Sequence, residues 1–82
     1  MTSITQDEAM RMLAEVFQEP SGTLTPGHVR ADLPGWDSMG AMLLMAALDD
    51  RLGIVLTAAE IRAMQSVADI LEHLRAVGAL SG

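Results

Sequence analysis

Three times in this sequence a hydroxyl residue is followed three positions later by an acid, just ahead of an apolar run: Thr5 with Glu8, Thr57 with Glu60, and Ser66 with Asp69. Each pair fits a capping box, in which the two residues satisfy each other's free N–H groups at a helix start. The residues behind each box repeat at three and four, the spacing that puts them on one helical face. Ile4 just before the first box and Ala9, Met10, Leu13, Val16 and Phe17 after it recur at this spacing, and Pro20 is predicted to stop that helix. The second box opens a short helix running to about Met64. The third opens a helix with Val67, Ile70, Leu71, Leu74 and Val77 on one face, ended by Gly78. A further helix is predicted from about Ser38 to Leu52, stopped by Gly53. No hairpin signal appears, and aromatic residues make up only 2% of the chain. The expectation is an all-α domain: three main helices, one short third helix, and a long first loop.

That loop, residues 20–36, is longer than most interhelical connections and should be packed down. Leu24, Val29 and Leu33 are the predicted anchors, and Pro34-Gly35 is predicted as a type II turn. Trp36 is expected to pack the loop onto the helices. With 82 residues, the chain is read as one domain, 1–82, with its core over about 4–77.

Residues 38–52 carry more apolar surface than one stripe needs. Ala41, Leu44, Met45, Leu48 and Leu52 form one stripe. Met39, Met42, Leu43 and Ala46 form another, leaving Gly40, Ala47, Asp49, Asp50 and Arg51 for a polar face. A small helical domain can hardly bury both. Either this helix is central and covered on two sides, or the second stripe stays partly exposed as a docking surface. Methionine suits adaptable contact.

Composition excludes several functions. Cysteine is absent, so no disulfide, thiolate nucleophile or zinc cluster is available. His28 and His73 lie far apart, and neither is given a chemical role. Eleven acidic residues against five basic ones make nucleic acid a poor partner and a basic protein surface a better one. Met1 to Thr5 lacks the features of a signal peptide, and Ala41 to Leu48 is too short to span a bilayer, so a cytoplasmic location is expected. The Gly35-Trp-Asp-Ser-Met-Gly40 stretch has the spacing G-x-x-S-x-G, not that of a hydrolase nucleophile, and no strand precedes it. No catalytic residue and no metal ligand is assigned, and no activity of its own is expected. On local sequence alone Ser38 reads as a helix N-cap, and Asp37 as an alternative cap.

The stretch DSMGAMLLMAALDDRLGI, residues 37–54, resembles the phosphopantetheine attachment region of acyl carrier proteins. The segment LTAAEIRAMQSVADILEHL, residues 56–74, is similar to the family's short third helix and the start of its fourth. The resemblance implies a four-helix carrier fold over about residues 4–77. It implies that Ser38 carries a covalent 4'-phosphopantetheine arm from coenzyme A, and that Asp37 helps a phosphopantetheinyl transferase recognise the site. The arm's thiol would hold acyl intermediates as thioesters for ketosynthase, acyltransferase or ligase-type enzymes. Ser38 at a helix start suits this, because free N–H groups and the helix dipole favour a phosphodiester.

The resemblance also implies that Met39 is the first docking contact and that Asp49 and Asp50, with Glu60 extending the patch, face basic surfaces; Met42, Leu43 and Ala46 continue the candidate docking stripe. Gly40 and Leu43 stand where acids are common in the family, which points to dedicated partners of a specialised polyketide or fatty-acid-type pathway. Two alternatives stay open: an aminoacyl or peptidyl carrier, including the D-alanyl type, and an unmodified helical interaction domain. A monomer is expected. Cargo, partner enzymes and cargo sequestration are not encoded in any motif.

Overall fold

The structure is a computed structural model describing residues 3–20 and 22–81. Its order is β1 (Ile4–Thr5), α1 (Gln6–Val16), α2 (Ser38–Leu52), α3 (Ala58–Ala63), α4 (Val67–Ala76) and β2 (Leu80–Ser81), with a 3-10 turn at Arg30–Asp32. The all-α layout expected from the sequence holds, including both bounds of α2. One feature was not foreseen: β1 and β2 pair in parallel, Ile4 with Leu80 and Thr5 with Ser81. Two-residue strands show no period that a sequence pattern could reveal.

Helix starts follow the hydroxyl–acid pairs. The Thr5 hydroxyl accepts from the Glu8 N–H at 3.1 Å, and Glu8 accepts from the Thr5 N–H at 3.0 Å. Thr57 and Glu60 repeat this at 3.1 and 2.9 Å. At the third pair only half the box forms. Ser66 accepts from the Asp69 N–H, but the Asp69 carboxylate takes the N–H of Gln65 instead of that of Ser66.

In the two complete boxes the backbone N–H of the cap residue, helped by its hydroxyl, holds the Glu8 and Glu60 carboxyls below the usual glutamate value. A carboxyl lowered only in the folded state contributes stability above its unfolded value, and that contribution fades as pH falls through the folded one. Acid titration followed by far-UV circular dichroism should therefore show helix loss that begins within the ordinary carboxylate range and continues below it. Glu8→Gln and Glu60→Gln should each remove part of that dependence. A titration unchanged by both would contradict the capping assignment.

Helix ends depart from expectation in one place. α1 stops at Val16, ahead of Pro20. Gln18 adopts a left-handed φ of 57°, its N–H reaches the Glu15 carbonyl, and the Glu19 N–H reaches that of Ala14. This is a Schellman closure built without glycine. The same closure ends α4 at Gly78, φ 78°, with the Ala79 N–H on Leu74. Val77, expected on the buried face of α4, is the C-cap within this closure and is 42% exposed; Ala79 and Leu80 are buried instead.

The core joins Leu13 of α1 and its C-cap Phe17, Leu44 and Leu48 of α2, Ile61 and Met64 around α3, and Val67, Ile70, Leu71 and Leu74 of α4. Arg51 near the end of α2 meets Glu15 of α1 at 3.0 Å, an exposed pair of small energetic weight. In the long loop, Leu24 and Leu33 are buried as predicted, but Val29 is not. Its segment is held through the backbone: Val29 bridges to Ser66, the Arg30 N–H donates to Gln65, and His28 accepts from the Val67 N–H. The His28 ring accepts the Thr25 N–H through Nδ1 at 2.9 Å, closing the turn ahead of it. Among the described residues no helix is long and apolar enough to cross a membrane.

Candidate functional site at the start of helix α2

Pro34 and Gly35 form the turn that delivers the chain to α2. The Trp36 N–H closes it on the Leu33 carbonyl at 3.0 Å. It is not a type II turn, because Gly35 does not take the positive φ that type II demands. Glycine is needed here for another reason. A Cβ on Gly35 would overlap the Phe17 carbonyl, and a Cβ on Gly40 would overlap the Gly35 carbonyl. Three backbone segments are thus stacked without side chains between them: the end of α1, the turn, and the first turn of α2. Gly40 is buried in this stack and is not part of a polar face.

Trp36 is 3% exposed and stacks on Phe17, with ring centroids 4.8 Å apart and planes inclined by 17°. It packs the loop onto α1, as expected. Its indole N–H is buried without an acceptor among the described residues.

Asp37 is the N-cap of α2. Its Oδ1 accepts the Gly40 N–H at 2.9 Å, and its carbonyl accepts from Ala41. Ser38 is therefore the first helical residue and not the cap. Its side chain is exposed and excused from capping. Helix geometry leaves the N–H groups of Ser38 and Met39 without intrahelical partners, so the positive end of α2 lies beside a free hydroxyl. An exposed alcohol next to two free N–H groups fits a phosphodiester linkage, because the hydroxyl can be esterified and the donors can face the phosphate oxygens.

The face running away from Ser38 is apolar. Met39 is 65% exposed, Met42 67% and Leu43 43%, and Ala46 is also exposed. The spacing 39, 43, 46, 50 and 42, 46, 49 continues this face into Asp49 and Asp50, both exposed. Arg51 is engaged with Glu15 on α1. Glu60 stands apart on α3, its carboxylate turned to the Thr57 N–H that it caps. One element escaped the sequence reading. A groove of about 310 Å³ opens between the end of α1 and the start of α2, lined by Val16, Phe17, Pro34, Gly35, Met39 and Leu43 among others. The adjacent Pro-Gly pair and the helical Gly40 were its only trace in the sequence.

Comparison with curated proteins and with solved structures finds no match. Comparison with family models finds one, described as the phosphopantetheine attachment site, over residues 7–74. That span takes in all four helices except the first residue of α1 and the last two of α4. A match over that much of the chain, on a fold with a free serine at the head of its second helix, leaves one conclusion: this protein belongs to the phosphopantetheine attachment site family, the carriers whose covalent group is 4'-phosphopantetheine.

Proposed function

We propose that Ser38 is the attachment residue and that the chain, read as one carrier domain over residues 1–82, carries acyl intermediates in a specialised polyketide or fatty-acid-type pathway of the cytoplasm. The observation carrying this reading is the division of labour at the head of α2: Asp37 caps the helix, which frees the exposed Ser38 hydroxyl. In the transfer, the Ser38 oxygen forms the new bond to phosphorus and gives up its proton, while the pyrophosphate P–O bond of coenzyme A breaks and adenosine 3',5'-bisphosphate leaves. When bound, the arm supplies the thiol that this cysteine-free chain lacks. The chain contributes no catalytic group of its own; it presents the hydroxyl and a docking face. Met39, Met42, Leu43 and Ala46 supply the apolar part of that face. Asp49 and Asp50 supply its charge, with Glu60 a more distant contributor. The scarcity of acids in the first half of α2 supports partners that dock mainly by apolar contact, with a basic rim meeting the far end of the helix.

The test is intact mass after incubation with coenzyme A, magnesium and a broad-specificity phosphopantetheinyl transferase, followed by peptide mapping. A gain of one phosphopantetheine located on Ser38 is the expected result. No gain from a folded, unmodified sample would return the chain to an unmodified interaction domain. Presenting the loaded carrier to amino-acid-adenylating and acyl-transferring enzymes then separates aminoacyl from acyl use.

Asp37 has two roles in this reading, and they come apart on substitution. Asparagine caps helices about as well as aspartate. Asp37→Asn should therefore melt close to the parent but load more slowly. Asp37→Ala should also lose about 1 kcal/mol of stability. Loading of Asp37→Asn at the parental rate would reduce Asp37 to a cap.

A further inference from the structure

The six methionines with described side chains fall into distinct environments. Met12 and Met64 are 3% and 4% exposed, in the core. Met10 and Met45 are half-buried. Met39 and Met42 are 65% and 67% exposed, one helical turn apart on the face beside Ser38. The chain has no cysteine, and its only tryptophan is buried, so the thioethers are the groups a peroxide meets first.

We propose that Met39 and Met42 form a paired oxidation site, at which conversion to sulfoxides by hydrogen peroxide or an alkyl hydroperoxide weakens docking beside Ser38 and leaves the fold intact. In each step a thioether sulfur attacks a peroxide oxygen. An S–O bond forms and the O–O bond breaks. Sulfur loses two electrons, the peroxide is reduced, and the departing oxygen leaves as water or alcohol after taking up a proton. The product is a polar, chiral sulfoxide in place of a flexible apolar side chain. Neither side chain supports the core, so oxidation changes what a partner meets without opening the bundle. Met39 also lines the groove between α1 and α2, so its oxidation places a strong acceptor on that groove's wall. Reduction of the sulfoxides by a thiol-dependent reductase reverses the change.

The functional half of this inference rests on the carrier reading; the chemical half does not. The test uses the unmodified protein under a hydrogen peroxide series, with oxidation mapped by peptide mass and loading by the transferase measured at low carrier concentration. Met39 and Met42 should oxidise at least about tenfold faster than Met12 and Met64, as exposure dictates. The melting temperature should stay unchanged at that stage. Loading kcat/KM should fall about tenfold, mainly through KM, and recover after treatment with a sulfoxide reductase. Met39→Leu/Met42→Leu, whatever its own starting rate, should lose nothing further on peroxide treatment. Equal oxidation of buried and exposed methionines, a fall in melting temperature alongside the first sulfoxides, unchanged loading, or equal peroxide sensitivity in the double variant would each overturn the proposal. If the untreated protein never takes up the arm, the carrier reading itself fails, and the docking half of this inference fails with it. The selectivity of oxidation is decided separately by the peptide map.

Discussion

The Ser38→Ala protein is expected to fold like its parent and to gain no mass from coenzyme A under conditions that load the parent fully. Both halves of that result follow from the head of α2. The attachment oxygen is removed, so the loss of loading is complete and not a change of rate. The fold is spared because Asp37 holds the Gly40 N–H and Ser38 holds nothing of the cap. Alanine at the first helical position is well tolerated, and exposed substitutions of this kind stay within about 0.5 kcal/mol. Had Ser38 been the cap, the same substitution would cost about 1 kcal/mol, or about 4–8 °C in a domain of this size. Intact mass and a melting curve on one variant thus separate the two readings of a single serine. Retained loading in Ser38→Ala would move the attachment elsewhere and remove the basis of the proposed function.

The second large effect is expected at Gly40. Gly40→Ala would ordinarily stabilise a helix by nearly 1 kcal/mol, since glycine is the poorer helix former. Here the new methyl overlaps the Gly35 carbonyl, and Gly35 is itself pressed on the Phe17 carbonyl. Backbone stacked on backbone has no rotamer to yield, so the strain must move α2, the turn, or the end of α1. The net result should be a loss of about 2–3 kcal/mol, within the range for overpacked sites, and a drop of about 10–20 °C in melting temperature. Gly35→Ala should behave alike. Gly27→Ala is the control: its Cβ would meet only the Thr25 hydroxyl oxygen at 3.8 Å, so it should be nearly neutral. A neutral Gly40→Ala would show that the stack is looser than described. Thermal melts of the three variants decide it.

These two sites show what could and could not be read from the chain beforehand. Thr5, Thr57 and Ser66 marked helix starts because a cap depends on residues three apart, and such local chemistry survives in any context. The bounds of α2 are marked by Ser38 at the head of the apolar run and by Gly53 at its end, whereas counting apolar surface leaves its second stripe either covered or exposed, and only the fold decides for exposure. Long-range or purely steric features were silent. Gln18 in a left-handed turn breaks the preference for glycine at a helix end, so the sequence pattern points to Pro20 as the stop. Val29 is an apolar residue held by backbone hydrogen bonds to the α3–α4 junction, a contact no hydropathy pattern carries. Gly35 suggests a turn through its freedom in φ, whereas its position needs the absence of a side chain. At the site itself Asp37 and Ser38 were both in view, but only the direction of one hydrogen bond, from Gly40 to Asp37, decides which of them caps and which is free.

The stacked pair of Trp36 and Phe17 has an optical consequence. The chain holds one tryptophan and no tyrosine, so its near-ultraviolet absorption and its emission arise almost wholly at one place, two residues before Ser38. Shielded indole emits at shorter wavelength than indole in water. Any event that lifts the turn off α1 is thereby written in the colour of the protein's own fluorescence, with no dye attached. Changes confined to the remote end of α2 leave that colour alone.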